Sequence, residues 1–181
     1  MSDNYVKGVD ALNSKLRAMQ KGMPTDVEKT LRTCAEIVRG SAVRLVPVNH
    51  GELRQSIHTT VKKKGKTTLG ICYTNKEYAA YVEFGTGPVG KANHDGISPK
   101  IHPKYLLTGW GIPASAIDPA DAARYHMTPI KVNGEVVYYL TKGQPAQPFL
   151  YPALKNNEER IVRRLKSELG ASVQDKAKGK K

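Results

Sequence analysis

Five histidines, His50, His58, His94, His102 and His126, are the side chains best suited to proton transfer or metal binding near neutral pH. His94-Asp95 and His102 stand in a stretch rich in glycine and proline, where they could be imagined as metal ligands. No helix or strand sets them at the i, i+2 or i, i+4 spacing that brings ligands onto one ion. Cys34 and Cys72 make no CxxC pair and no Cys/His cluster of zinc spacing; each falls on an apolar position and reads as a buried thiol, suited to a reducing compartment. Gly85-Thr86-Gly87 lacks both the spacing and the lysine of a phosphate loop. There is no serine nucleophile motif and no pair of carboxylates spaced to converge on a substrate. The expectation is a protein without catalytic residues, cofactor or metal, and not an enzyme.

Two features remain. The first is the lysine cluster Lys62, Lys63, Lys64 and Lys66 around Gly65. It reads either as a solvated hairpin loop or as a contact to DNA phosphates or an acidic partner. No aromatic residue interleaves with it, so stacking on single-stranded bases is not supported. The second is Glu83 within Tyr78-Ala79-Ala80-Tyr81-Val82-Glu83-Phe84-Gly85-Thr86, a carboxylate set among apolar residues. Tyr78 and Val82 stand four apart and share a helical face, so a short helical turn is expected. Glu83 either reaches solvent at the edge of a core segment or is buried, and a buried carboxylate needs a cation or hydrogen-bond donors.

The 181 residues are expected to form one domain over 1–170, with a basic, flexible tail over 171–181. Composition is that of a soluble globular protein, with 39% hydrophobic and 25% charged residues and neither a membrane-length apolar run nor a signal-peptide pattern. A cytoplasmic site of synthesis follows. The net charge is +13. Residues 1–46 carry 8 basic against 5 acidic groups, 155–181 carry 9 against 4, and the middle 12 against 7, so the excess reads as a property of the whole surface. Such a charge favours nucleic acid or an acidic protein surface without choosing between them.

Apolar spacing predicts a first helix over 5–20, closed by Gly22 and Pro24, and a second over Asp26–Leu45 opened by a Thr25/Glu28 capping box. Pro47 ends the second helix, and the residues after Gly51 can hold one helical turn. Ile57, Thr59 and Val61 begin a strand, and Leu69, Ile71 and Tyr73 alternate on its return. Residues 85–113 hold ten glycines and prolines, which rules out a regular helix there, with Tyr105 and Trp110 as possible anchors of a long excursion. Asp118-Pro119 marks a short helix ending near His126, and Asn133-Gly134 a tight hairpin. A last helix carries Leu154, Ile161, Leu165 and Leu169 and stops at Gly170.

Four pieces in order resemble the tail-completion or head–tail joining proteins of long-tailed bacteriophages, relatives of lambda tail protein Z. They are Val6-Lys7-Gly8 with the helix to Leu12 and Leu16; the long helix running into Leu45 to Ile57, with Pro47, Gly51, Leu53, Arg54 and Ser56; Tyr78 to Thr86, with Ala79, Val82, Phe84 and Gly85; and Pro145 to Leu154, with Pro148, Phe149, Leu150, Pro152 and Ala153. The stretch 87–144 departs from that pattern as a long loop and hairpin insertion. The resemblance implies an α+β fold, with a small antiparallel sheet against a long N-terminal and a C-terminal helix. It also implies a non-enzymatic virion protein: a hexameric neck ring joining tail to head, assembled in the host cytoplasm. Tail-terminator or tail-tube proteins and head-completion or connector proteins are the implied partners, with transient contact to genomic DNA and none to membrane. The competing reading is a small basic DNA-binding protein. Within the motifs, Arg54 is the candidate partner of Glu83.

Overall fold

The computed structural model describes residues 9–49, 51–65 and 67–178, and the side chains of residues 9–12, 15 and 18–22 are not described. The fold is α+β, as expected, with a long N-terminal helix, small sheets and a C-terminal helix. The chain divides into two compact units: residues 1–41, 57–73 and 153–181 form the first, and residues 42–56 and 74–152 the second. No helix among the described residues is long and apolar enough to cross a membrane.

Helix α1 runs unbroken over Val9–Leu45, so the expected stop at Gly22 and Pro24 does not occur. Proline removes one ladder hydrogen bond and crowds the preceding turn, and here the helix continues through it. Thr25 therefore lies inside the helix and not ahead of it. The expected start at residues 5–8 falls outside the described residues. Thr30, Cys34, Ala35, Val38 and Ser41 form the buried stripe of α1 in the first unit, at the three- and four-residue steps that put side chains on one helical face.

Strands β1 (Ile57–Lys64) and β2 (Thr67–Thr74) form the first sheet. β2 lies close on α1, because a Cβ added at Gly70 would stand 3.0 Å from the Leu31 carbonyl oxygen. The Thr59 hydroxyl donates to the Glu36 carboxylate, which also pairs with Arg39 Nε at 2.7 Å; the two interactions hold the Glu36 carboxyl below the usual range. Lys62, Lys63 and Lys64 belong to the strand and not to the loop expected of them, because β1 extends to Lys64 and Gly65, at φ 59°, begins the turn. Lys66 lies outside the described residues.

The C-terminal segment forms two helices, α6 (Leu150–Lys155) and α7 (Glu158–Ala177). α7 passes through Gly170, which is exposed and meets no neighbouring atom, so nothing there forces an end. Residues 171–177 are thus helical, where a flexible tail was expected. Ser172 and Lys176, four apart and therefore on one face, both donate to the Asp26 carboxylate of α1.

In the second unit, α2 (Glu52–Gln55) forms the turn expected after Gly51, whose φ of 82° suits glycine. The Ser56 hydroxyl bonds the Leu53 carbonyl at 2.8 Å and Thr74 Oγ1 at 2.6 Å. Helix α3 (Ala79–Phe84) follows, as the Tyr78/Val82 spacing predicts. A further short helix, α4 (Gly87–Ala92), forms inside the stretch where glycine and proline were expected to rule one out, and corrects that expectation. Pro88 stands in its first turn, where a missing N–H costs nothing. Helix α5 (Pro119–Arg124) is capped by Asp118, which accepts from the Ala120 amide at 2.7 Å. Strands β4 (Thr128–Val132) and β5 (Glu135–Thr141) make the expected hairpin, with Asn133 and Gly134 at φ 50° and 87°. An unexpected strand, β3 (Trp110–Pro113), pairs antiparallel with β5 from the other side, giving the order β3-β5-β4.

The charge excess is not spread over the surface. The first unit holds 20 basic against 9 acidic residues, and the second 9 against 7.

Lys176, followed by Ser172, holds the Asp26 carboxyl below its ordinary value. A carboxyl whose pKa is lowered in the folded state stabilises fully above its unfolded value of about 3.9, and that contribution is lost as pH falls through the folded value. Asp26→Asn should therefore lower the unfolding midpoint at pH 7. The gap to wild type should shrink on acidification below about pH 4, as read by thermal melts followed by circular dichroism.

Candidate functional site

Glu83 is 4% exposed, and its carboxylate is met by three backbone amides. Oε2 accepts from Phe149 N at 2.7 Å and Leu150 N at 2.9 Å, and Oε1 accepts from Tyr151 N at 3.0 Å. These amides sit at the start of α6, where the first N–H groups have no partner inside the helix and the helix dipole favours negative charge. Pro148 and Pro152 on either side have no N–H to offer. All the donors of that run are therefore spent on one side chain.

Arg54 is not the partner. It is exposed and forms no ion pair among the described residues, so the expected Arg54–Glu83 bridge is corrected. Three amides fill the acceptor positions that a guanidinium would have taken, and they need no second charge to be desolvated. The cation that the α2 turn does engage is Lys76, at 2.7 Å from Glu52.

Around Glu83 the backbone passes at very short range. Thr86 N donates to the Gln144 carbonyl at 2.9 Å, Gln147 N to the Val82 carbonyl at 2.8 Å and Ala146 N to the Asn93 carbonyl at 2.8 Å. Gly143 has φ 90°, and a Cβ there would overlap the Thr86 carbonyl oxygen, so only glycine fits. The Tyr105 hydroxyl donates to the Phe84 carbonyl at 2.8 Å, which makes Tyr105 the expected anchor of the excursion. Trp110 lies against Gly87, whose added Cβ would be 3.0 Å from the indole.

The motif positions do two kinds of work. Leu53, Ser56, Ala79, Gly85, Phe149 and Ala153 are buried, while Val82, Phe84, Thr86, Pro148, Leu150 and Pro152 are half-buried. Pro47 and Tyr78 are exposed. The described histidines join no cluster of three or more metal-ligating side chains. His94 Nδ1 lies 2.7 Å from the Lys91 carbonyl, with its ring stacked on Tyr105 at 5.9 Å, and His58 packs beside Tyr73 at 5.9 Å. His50 lies outside the described residues. Among the described residues no group of three or more His, Cys, Asp or Glu is placed to hold a metal ion. Burial raises the Cys34 thiol and pushes that of Cys72 up to about 11. Both thiols are therefore poor nucleophiles at neutral pH.

In the first unit a cleft of about 300 Å³ is lined by Asp26, Lys29, Thr30, Thr33, Arg164, Glu168 and Ser172. Its charges are largely committed to each other, with Arg164 on Glu168 at 2.6 Å and Asp26 on Ser172 and Lys176.

The geometry defines a mixed α+β protein whose most constrained residues hold backbone in place. Residues 10–85 match the HK97-gp10-like family model, described as "Bacteriophage HK97-gp10, putative tail-component". Over that stretch, from α1 to the end of α3, the chain is similar to a phage tail-component family. No curated protein and no solved structure matches the chain.

Glu83→Ala would leave three donors of α6 unsatisfied and should cost about 3–5 kcal/mol. Arg54→Ala should stay within about 0.5 kcal/mol of wild type. Urea unfolding followed by Trp110 fluorescence separates the two, and equal losses would refute the assignment.

Proposed function

We propose that the chain is a non-enzymatic structural subunit of a phage tail, assembling with copies of itself as a ring at the neck, where tail meets head. The observation that carries this reading is the similarity of residues 10–85 to a tail-component family. The relation to lambda tail protein Z, the hexameric symmetry, and the terminator, tube and connector proteins as partners are parts of the same proposal. So is a location in the virion.

The β3-β5-β4 sheet supports assembly. Register places Thr128 opposite Leu140, Ile130 opposite Tyr138 and Pro113 opposite Tyr138, so these side chains share one face. Ile130 is 43% and Tyr138 47% exposed, with Leu140 exposed between the flanking strands. Contiguous apolar surface of this kind marks interaction sites. Strand addition is disfavoured at both edges, because β4 carries Pro129 and Lys131 and the four-residue β3 ends in Pro113. Association through the face is favoured instead, and a head-to-tail contact that closes on itself gives a ring.

Light scattering and negative-stain images of the purified protein should show a closed oligomer. Ile130→Asp combined with Tyr138→Asp should yield monomers with unchanged circular dichroism. Deleting the gene should leave filled heads and tails unjoined. A wild-type protein that stays monomeric, together with normal particles from the deletion, would overturn the reading.

A further inference from the structure

We propose that the outer face of the β1–β2 hairpin is a contact surface for the phosphate backbone of double-stranded DNA. This inference does not rest on the tail reading, and each can fail without the other.

The face is defined by strand alternation. Thr59 of β1 reaches Glu36 of α1, and Gly70 of β2 lies on Leu31, so those rows face the helix. His58, Thr60, Lys62 and Lys64 form the opposite row of β1, and the contact of His58 with Tyr73 lies on that outer side. Successive members of the row are about 6.6 Å apart. Lys63 is exposed on the same strand. Lys62, Lys63 and Lys64 form no ion pair among the described residues.

The charge is of one sign. Residues 57–73 contain four lysines and no carboxylate, within the unit that carries nearly all of the excess. A basic stripe backed by a basic body is the electrostatic footprint of a polyanion site. The donors, ammonium groups with a hydroxyl and an imidazole in line, suit phosphate oxygens. No arginine in the segment offers the forked donor that reads guanine, so contact is expected without sequence preference. Leu69 and Tyr73 stand exposed on β2 of the same face, so an acidic protein surface is the competing occupant; the lysine row itself holds no apolar side chain, which favours the phosphate backbone.

Fluorescence anisotropy with a labelled duplex of about 30 base pairs, titrated from 50 to 200 mM NaCl, tests the surface. Wild type should bind two unrelated sequences alike, with affinity falling steeply as salt rises. Lys62→Glu with Lys64→Glu should weaken binding and flatten the log–log salt slope by about 2, at roughly 0.9 per phosphate contact. Lys62→Gln with Lys64→Gln should flatten it equally with a smaller loss. Lys100→Glu with Lys104→Glu, an equal charge change on exposed lysines of the second unit, should leave the slope unchanged. An unaltered slope in the hairpin variants, or the same loss in the second-unit variant, would overturn the proposal. Tighter binding to polyglutamate than to duplex would also overturn it, in favour of an acidic protein.

Discussion

A carboxylate removed from water must find donors, and Glu83 finds them on backbone that lies 66 to 68 residues further along the chain. That demand fixes much of the second unit. α3 cannot bury its acid unless the start of α6 is brought to it, and α6 cannot begin between two prolines unless an external acceptor satisfies its first amides. Each end solves the other's problem. The pairing is also directional, since two carboxylate oxygens divided among three amides allow little rotation of the helix start.

The same closure accounts for the glycines. Once residues 149–151 are bound to α3, the returning chain at 142–147 must run beside residues 82–93 at backbone contact distance. Thr86 bonds Gln144, Val82 accepts from Gln147, and Gly143 adopts a left-handed conformation where any side chain would meet Thr86. Glycine is what the close approach requires. The stretch between these two crossings is then a closed excursion with its own sheet, and its length is tolerated because loop-closure entropy grows only slowly with length. The family match ends at residue 85, just before the excursion opens.

Local rules were legible where one residue type has one structural use. Asn133-Gly134 could only be a tight hairpin, Asp118-Pro119 opened a helix, and the Tyr78/Val82 spacing gave α3. Reading failed where a local signal was outweighed by what surrounds it. Pro24 and Gly170 looked like helix ends, yet α1 and α7 pass through both. At Gly170 the far end of α7 is tied to Asp26 through Ser172 and Lys176, a long-range bond that no window shows. β3 is hard to read because Gly111 and Pro113 weaken its pattern and the strand it pairs with, β5, lies about 30 residues on. Arg54 was assigned to Glu83 because a cation is conspicuous in sequence, whereas amides are everywhere. The usable signal was Pro148-Phe149-Leu150-Tyr151-Pro152: a helix start with three free donors, bounded by two residues that have none.

The unequal division of charge bears on what kind of neighbours such a chain tolerates. Self-association of a uniformly basic protein at +13 would work against its own field at low salt. Here the opposition is reduced, because the unit that carries the exposed apolar sheet is nearly neutral and the excess lies in the other. In the proposed assembly, copies would meet through the second unit with little charge repulsion at the contact, and the proposed contact with DNA would use the field of the first. Raising the salt should act oppositely on the two, easing contacts between copies and weakening contacts with anions. A protein built on one sign throughout could not separate those responses.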